Sequence, residues 1–164
     1  MARVSKARHR SGCPVSVSLD LLGDRWSLLL VRDMMVRGYR TFREFRRSGE
    51  GIATNILTDR LQKLEAGGIA VREAAKEDGR STNYRLTRKG IALAPVLLEI
   101  LIWGAHHEET DAPCAVIEGM ERDRAAVIAE AHRRWQLRDP TPLIPPFPSS
   151  PRSKSNSPKG KRKR

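Results

Sequence analysis

Apolar residues recur at helical spacing through most of this chain. Val15, Leu19 and Leu22 fall on one face of a short helix that Gly23 ends. Trp26, Leu29, Leu30 and Met34 repeat the pattern in a second helix, stopped near Gly38. Thr41 with Glu44 three residues on forms a capping-box pattern, and Phe42 and Phe45 turn inward on the short third helix it opens. Gly49-Glu50-Gly51 breaks the chain. A fourth helix over residues 53–66 places Ala53, Leu57, Leu61 and Leu64 on its inner stripe and ends at Gly67-Gly68. Two strands are expected at 69–75 and 82–86, joined by a turn around Asp78-Gly79. Thr87 then caps a fifth helix reaching about His106, and a sixth covers 116–137. A turn-linked helix pair followed by a hairpin is the layout of a winged helix-turn-helix, in which the second helix of the pair enters the DNA major groove. The expected fold is mainly α with a small β-hairpin wing.

Composition adds two tails. The 164 residues carry a net charge of +12. Residues 140–164 hold seven Lys/Arg, no acid and seven of the ten prolines, a composition that predicts a disordered basic tail. The expected organisation is a basic arm over 1–12, a DNA-binding and dimerisation unit over 13–107, a helical extension over 108–139 and the tail over 140–164. Two basic ends suit a polyanionic partner.

The fourth helix offers chemistry for reading bases. Asn55, Thr58, Asp59 and Gln62 lie away from its leucine stripe. Asn and Gln pair with adenine, Thr bonds or touches a thymine methyl, and Asp accepts from cytosine. Thr54 and Lys63 complete the candidate face. Arg37, Arg40, Arg43, Arg46 and Arg47 crowd the turn and helix before it, and Lys76 and Arg80 bracket the wing turn. Of these, Arg40, Arg43, Lys76 and Arg80 are the candidate phosphate contacts, since register on a duplex needs cations on several elements. The helix after Thr87 is apolar on nearly all sides, so Val96, Leu97, Ile100, Leu101 and Trp103, with Val15 and Leu19 from the first helix, are the candidate dimer interface.

These residues form a recognisable series. Cys13-Pro14-Val15, Leu22-Gly23-Asp24-Arg25-Trp26, Arg40-Thr41-Phe42-Arg43-Glu44-Phe45, Gly51-Ile52, Leu57-Thr58-Asp59-Arg60-Leu61, Leu64-Glu65, Tyr84-Arg85-Leu86-Thr87-Arg88-Lys89-Gly90 and Trp103-Gly104 occur in order. Together they resemble the HxlR-type (MarR-like) family of bacterial winged-helix transcription regulators, over roughly 13–106. The resemblance implies a cytoplasmic, nucleoid-associated homodimer that binds operator double-stranded DNA and represses or activates nearby genes. In some similar proteins the cysteine matching Cys13 senses oxidants or electrophiles. Cys13 also stands at a helix start near Arg8 and Arg10, which favours a thiolate, while the competing reading is a small residue packed at the dimer seam. Cys114 is a candidate resolving partner. The effector, oxidant or small molecule, is left open.

Other classes find little support. No nucleotide-binding glycine loop, nucleophile elbow or zincin motif is present, so neither an enzyme nor a cofactor is expected. His106-His107 with Glu108, Glu109, Asp111 and Cys114 matches no zinc spacing, and no metal is expected. The richest apolar run, 91–105, contains Pro95 and Glu99 and is too short for a membrane span. The competing function is a less specific architectural DNA-binding protein driven by the basic tails.

Overall fold

The computed structural model of the protein describes residues 11–74 and 82–144. Helix α1 (Pro14–Leu22) starts on its proline and closes where the Gly23 N–H donates to the Leu19 carbonyl at 2.8 Å. Helix α2 (Arg25–Met35) is capped by Asp24, whose Oδ1 accepts from the N–H groups of Trp26 and Ser27, each at 2.9 Å. Helix α3 (Phe42–Arg46) carries the expected capping box: Thr41 Oγ1 accepts from Glu44 N–H, and Glu44 Oε2 accepts from Thr41 N–H. Helix α4 (Thr54–Ala66) follows a tight turn in which Gly49 and Gly51 take φ of +89° and +74°, a region that residues with a Cβ avoid.

Strands β1 (Ala70–Ala74) and β2 (Thr82–Leu86) pair antiparallel, with Ala70 opposite Leu86 and Ala74 opposite Thr82. The segment before α3 joins their edge: Thr41 bridges to Asn83, and Tyr84 N–H donates to the Arg40 carbonyl at 2.7 Å. The core lies among α2, α3, α4 and the hairpin. Val31, Met34, Phe45, Leu57, Leu61, Leu64 and Ile69 are fully buried there. Phe45 sits edge-on between Tyr39 and Tyr84, so the short α3 is fastened to the hairpin through aromatic contacts.

Three expectations from the sequence change. Ala53 is exposed at the N-cap of α4, and Ile52 takes the core position in its place. The fifth helix is two helices, α5 (Arg88–Ile91) and α6 (Ala94–His107), because Pro95 has no N–H for the Ile91 carbonyl and its ring crowds that carbonyl. The sixth is also two, α7 (Cys114–Arg122) and α8 (Arg124–Leu137). Asp123 breaks the run and caps α8 by accepting from Ala126 N–H at 2.9 Å. Taken together, Arg88–His107 spans 20 residues at mean hydropathy 1.4, which by length and composition alone is enough to cross a membrane. Ala94, Leu98 and Ile102 on it are buried against the chain's own core, while Val96, Ile100 and Trp103 are exposed.

Packing also continues past the expected boundary at Pro140. Arg138 adopts a left-handed conformation (φ +57°) that turns the chain back after α8. Arg134 then donates to the carbonyls of Thr141 and Pro142, and Leu143 N–H donates to the Val36 carbonyl at 2.7 Å. Ile144 is buried with Leu98, Ile102 and Met120 in a second apolar cluster. Residues 139–144 thus form a strap across the end of α2. The arm over 1–10, the wing turn with Lys76, Asp78, Gly79 and Arg80, and residues 145–164 lie outside the described residues.

Candidate nucleic-acid interface

Helix α4 divides cleanly into two faces. Leu57, Leu61 and Leu64 are buried, whereas Thr54, Asn55, Thr58, Asp59 and Gln62 are exposed. Its attitude is set from both ends. At the first turn, Arg46 contacts the Thr54 hydroxyl. Further along, Arg60 and Lys63 each reach Asp24 Oδ2 at 3.5 Å, tying α4 to the cap of α2. Thr58 donates its hydroxyl back to the Thr54 carbonyl, leaving its methyl group and an oxygen lone pair at the surface.

The turn before α4 hangs on a buried carboxylate. Asp33, 2% exposed, contacts Arg32 at 2.7 Å and Arg37 at 3.3 Å. Arg32 also reaches Glu50, and Arg37 donates to the Ser48 carbonyl. Burial pushes the Asp33 carboxyl above its ordinary value, against the pull of both arginines. Sequence reasoning missed Asp33, because an acid on a helix with a polar face looks solvated until the neighbouring turn is folded over it.

The candidate phosphate contacts separate. Arg43 and Arg47 are exposed and have no ion-pair partner among the described residues. Arg40 is instead drawn inward, a correction to its placement at the interface. Its Nη1 donates to the carbonyls of Met34 and Tyr39, at 2.7 and 2.8 Å, and burial with the nearby charge of Arg85 lowers its pKa. It holds the chain between α2 and α3. Lys63, engaged with Asp24, is likewise partly withdrawn from the outer face.

Away from α4, five of the eight large exposed apolar residues among the described ones lie on α1 and α6, the others being Val71, Val116 and Leu137. Val15 and Leu19 of α1 are 66% and 58% exposed, and Val96, Ile100 and Trp103 of α6 are 46%, 48% and 59% exposed. Leu97 and Leu101 are half-buried against the chain's own two clusters, so they contribute less to any outer surface than the sequence suggested. Cys13 and Cys114 are both exposed free thiols. His106 Nε2 pairs with Glu121 Oε1 at 2.9 Å across α6 and α7.

Comparison with known proteins places this arrangement among regulators. A family model described as HxlR-like helix-turn-helix matches residues 21–112. The HTH-type transcriptional regulator YybR of Bacillus subtilis is 36% identical over 101 residues, covering 62% of this chain and 80% of YybR. Among solved structures, PA1607, a candidate transcription factor, superposes with a TM-score of 0.57 at 44% identity, covering 62% of this chain and 69% of the other. The redox regulator HypR in its oxidised form superposes at 0.54 with 36% identity, covering 60% of this chain and all of that one.

Proposed function

The chain belongs to the HxlR-like helix-turn-helix family of DNA-binding transcription regulators, and from that premise we propose that it is a homodimeric, sequence-specific repressor acting on a pseudo-palindromic operator. The family and its relatives are regulators rather than enzymes, and the proposed location of this chain is the cytoplasm. On this proposal the chain is associated with the nucleoid.

One observation carries the reading. The exposed face of α4 presents two amides, a hydroxyl and a carboxylate opposite three buried leucines, while Arg43 and Arg47, with no ion-pair partner among the described residues, flank it. Asn55, Thr58, Asp59 and Gln62 are the base readers, each with donors or acceptors suited to major-groove edges. Arg43 and Arg47, with Lys76 and Arg80 at the wing turn, fix register on the phosphates. Two copies joined through α1 and α6 present two such helices, which calls for half-sites about one helical turn apart or a multiple of it.

Cys13 is the proposed redox-responsive residue. It is exposed at the N-cap of α1, beside the apolar residues assigned to the dimer seam. The likeness to the redox regulator HypR supports this assignment. The deciding experiment is a footprint on the DNA upstream of the chain's own gene and its neighbours, run with reduced and with mildly oxidised protein. A protected pseudo-palindrome, resistant to competition by random duplex and altered by oxidation in the native chain but not in Cys13→Ser, is expected. Equal affinity for operator and random duplex favours the architectural alternative. An identical oxidation response in Cys13→Ser removes Cys13 as the switch.

A further inference from the structure

The hairpin is held from behind by a part of the chain that lies beyond the family match, which ends at residue 112. Side chains alternate along a strand, so Val71 and Glu73 share one face of β1, and Arg85, opposite Val71, shares it from β2. Ala70, Tyr84 and Leu86 turn to the core. The outer face meets the C-terminal end of α8. Trp135 donates its indole N–H to the Leu86 carbonyl at 2.7 Å. Arg85 returns a bond to the Trp135 carbonyl at 2.6 Å, with its guanidinium 4.9 Å from the centre of the Trp135 ring. Arg138 grips the Glu73 carboxylate with both terminal nitrogens, at 2.7 and 3.2 Å.

The placement of these contacts matters more than their number. Leu86 is at the base of the hairpin, where β2 leaves for α5. Glu73 is the next-to-last residue of β1, beside the turn. The inner face of the hairpin is already held by Phe45 and by the bond from Tyr84 N–H to the Arg40 carbonyl, and the α8 contacts act on the opposite face of a ribbon that is only marginally stable alone. Two anchors separated along the strands fix its direction. The anchoring helix is itself immobilised, because the strap after Arg138 bonds to Val36 and buries Ile144.

We propose that α8 and the strap are a brace that sets the angle at which the wing meets DNA, with Trp135 and Arg138 as positioning residues. This rests on the DNA-binding reading above. In sequence, Lys76 and Arg80 lie between the two braced strands, which ties the brace to the proposed phosphate contacts. Loss of the brace lowers affinity without removing any group that touches DNA.

The test uses the full chain and the variants Glu73→Arg, Arg138→Glu, the two combined, and Trp135→Phe. Amide hydrogen exchange is followed in β1 and β2, with α2 and α4 as internal controls, and affinity is measured for a duplex of the DNA upstream of its own gene. Single variants are expected to exchange about threefold to fivefold faster in the hairpin alone and to bind that much more weakly, the scale of one ion pair or one hydrogen bond. Glu73→Arg is the sharpest probe: it adds positive charge near DNA, so phosphate attraction alone predicts tighter binding, while the brace predicts weaker. The combined swap restores the pair and is expected to recover both readouts. Hairpin exchange unchanged in the variants, or affinity unchanged despite a loosened hairpin, overturns the brace. A wild-type chain that binds no duplex overturns the DNA reading and with it the function of the brace.

Discussion

Asp24 and Lys63 meet at 3.5 Å, so the residue that caps α2 also holds the helix proposed to read DNA. The same carboxylate takes the Ser27 hydroxyl at 2.6 Å and lies 3.5 Å from Arg60. Asp24→Ala removes the cap and both ties to α4. A loss of about 1–2 kcal/mol is expected from the cap, read as a lower urea midpoint. Burial works to raise the Asp24 carboxyl, but bonds from Ser27 and Trp26 and the charge of Arg60 leave it below its ordinary 3.8. A depressed folded-state value contributes stability above the unfolded value and loses it as pH falls through the folded one. The difference between native and Asp24→Ala protein should therefore shrink below pH 3.8. A gap that stays constant through that range argues against an ionised cap.

Gly38 supports the strap. Its φ is +73°, and a Cβ there would stand 2.0 Å from the Pro140 carbonyl oxygen. Gly38→Ala combines a disfavoured backbone conformation with a steric clash, for an expected loss of about 1–3 kcal/mol. Thermal melts report the loss, and faster exchange of the Leu143 amide reports that the strap has lifted. An unchanged melting temperature would show that the strap tolerates displacement at this point.

Base reading and phosphate contact separate by their salt dependence. Asn55→Ala or Gln62→Ala should relax base preference by about 1–3 kcal/mol if the amide pairs bidentately. Arg43→Ala should weaken all duplexes alike and flatten the logarithmic salt slope by about one unit. Competition titrations at several salt concentrations distinguish the two. Arg40→Ala should act differently, lowering stability before affinity, because its Nη1 is bonded to backbone carbonyls.

The exposed stripe on α6 predicts a two-fold contact. Ile100→Glu places a charge in the middle of Val96, Ile100 and Trp103, and should convert a dimer to a monomer in sedimentation at micromolar concentration. Operator affinity should fall steeply with it, since one half-site is then lost. A native chain that sediments as a monomer under the same conditions removes the homodimer.

The helix-turn-helix was legible because its signals are local. The Thr41–Glu44 capping box, the glycines around Glu50 and the leucine period of α4 each act within a few residues, and each appears as read. The errors arose where distant residues decide. Arg40 looks like one more surface cation until Met34 and Tyr39 offer it carbonyls. Residues 140–144 have the composition of a tail, yet Gly38 leaves room for Pro140 and Val36 offers a carbonyl to Leu143. Pro95 and Asp123 were visible as residues, but their power to split helices was outweighed by the apolar period around them. The outer face of α4 was found from angular position alone, whereas its tie to Asp24 needed the fold.

The bond from Leu143 to Val36 gives the protein an order of assembly during synthesis. Helices α2 to α4 leave the ribosome early and make contacts mainly among themselves and with the hairpin that follows. The second apolar cluster cannot close until Ile144 has emerged, and the end of α2 waits that long for its strap. A nascent chain stalled before α8 lacks Ala131 of the first cluster as well as Ile144 of the second, so neither apolar cluster is complete until the last described residues have been made.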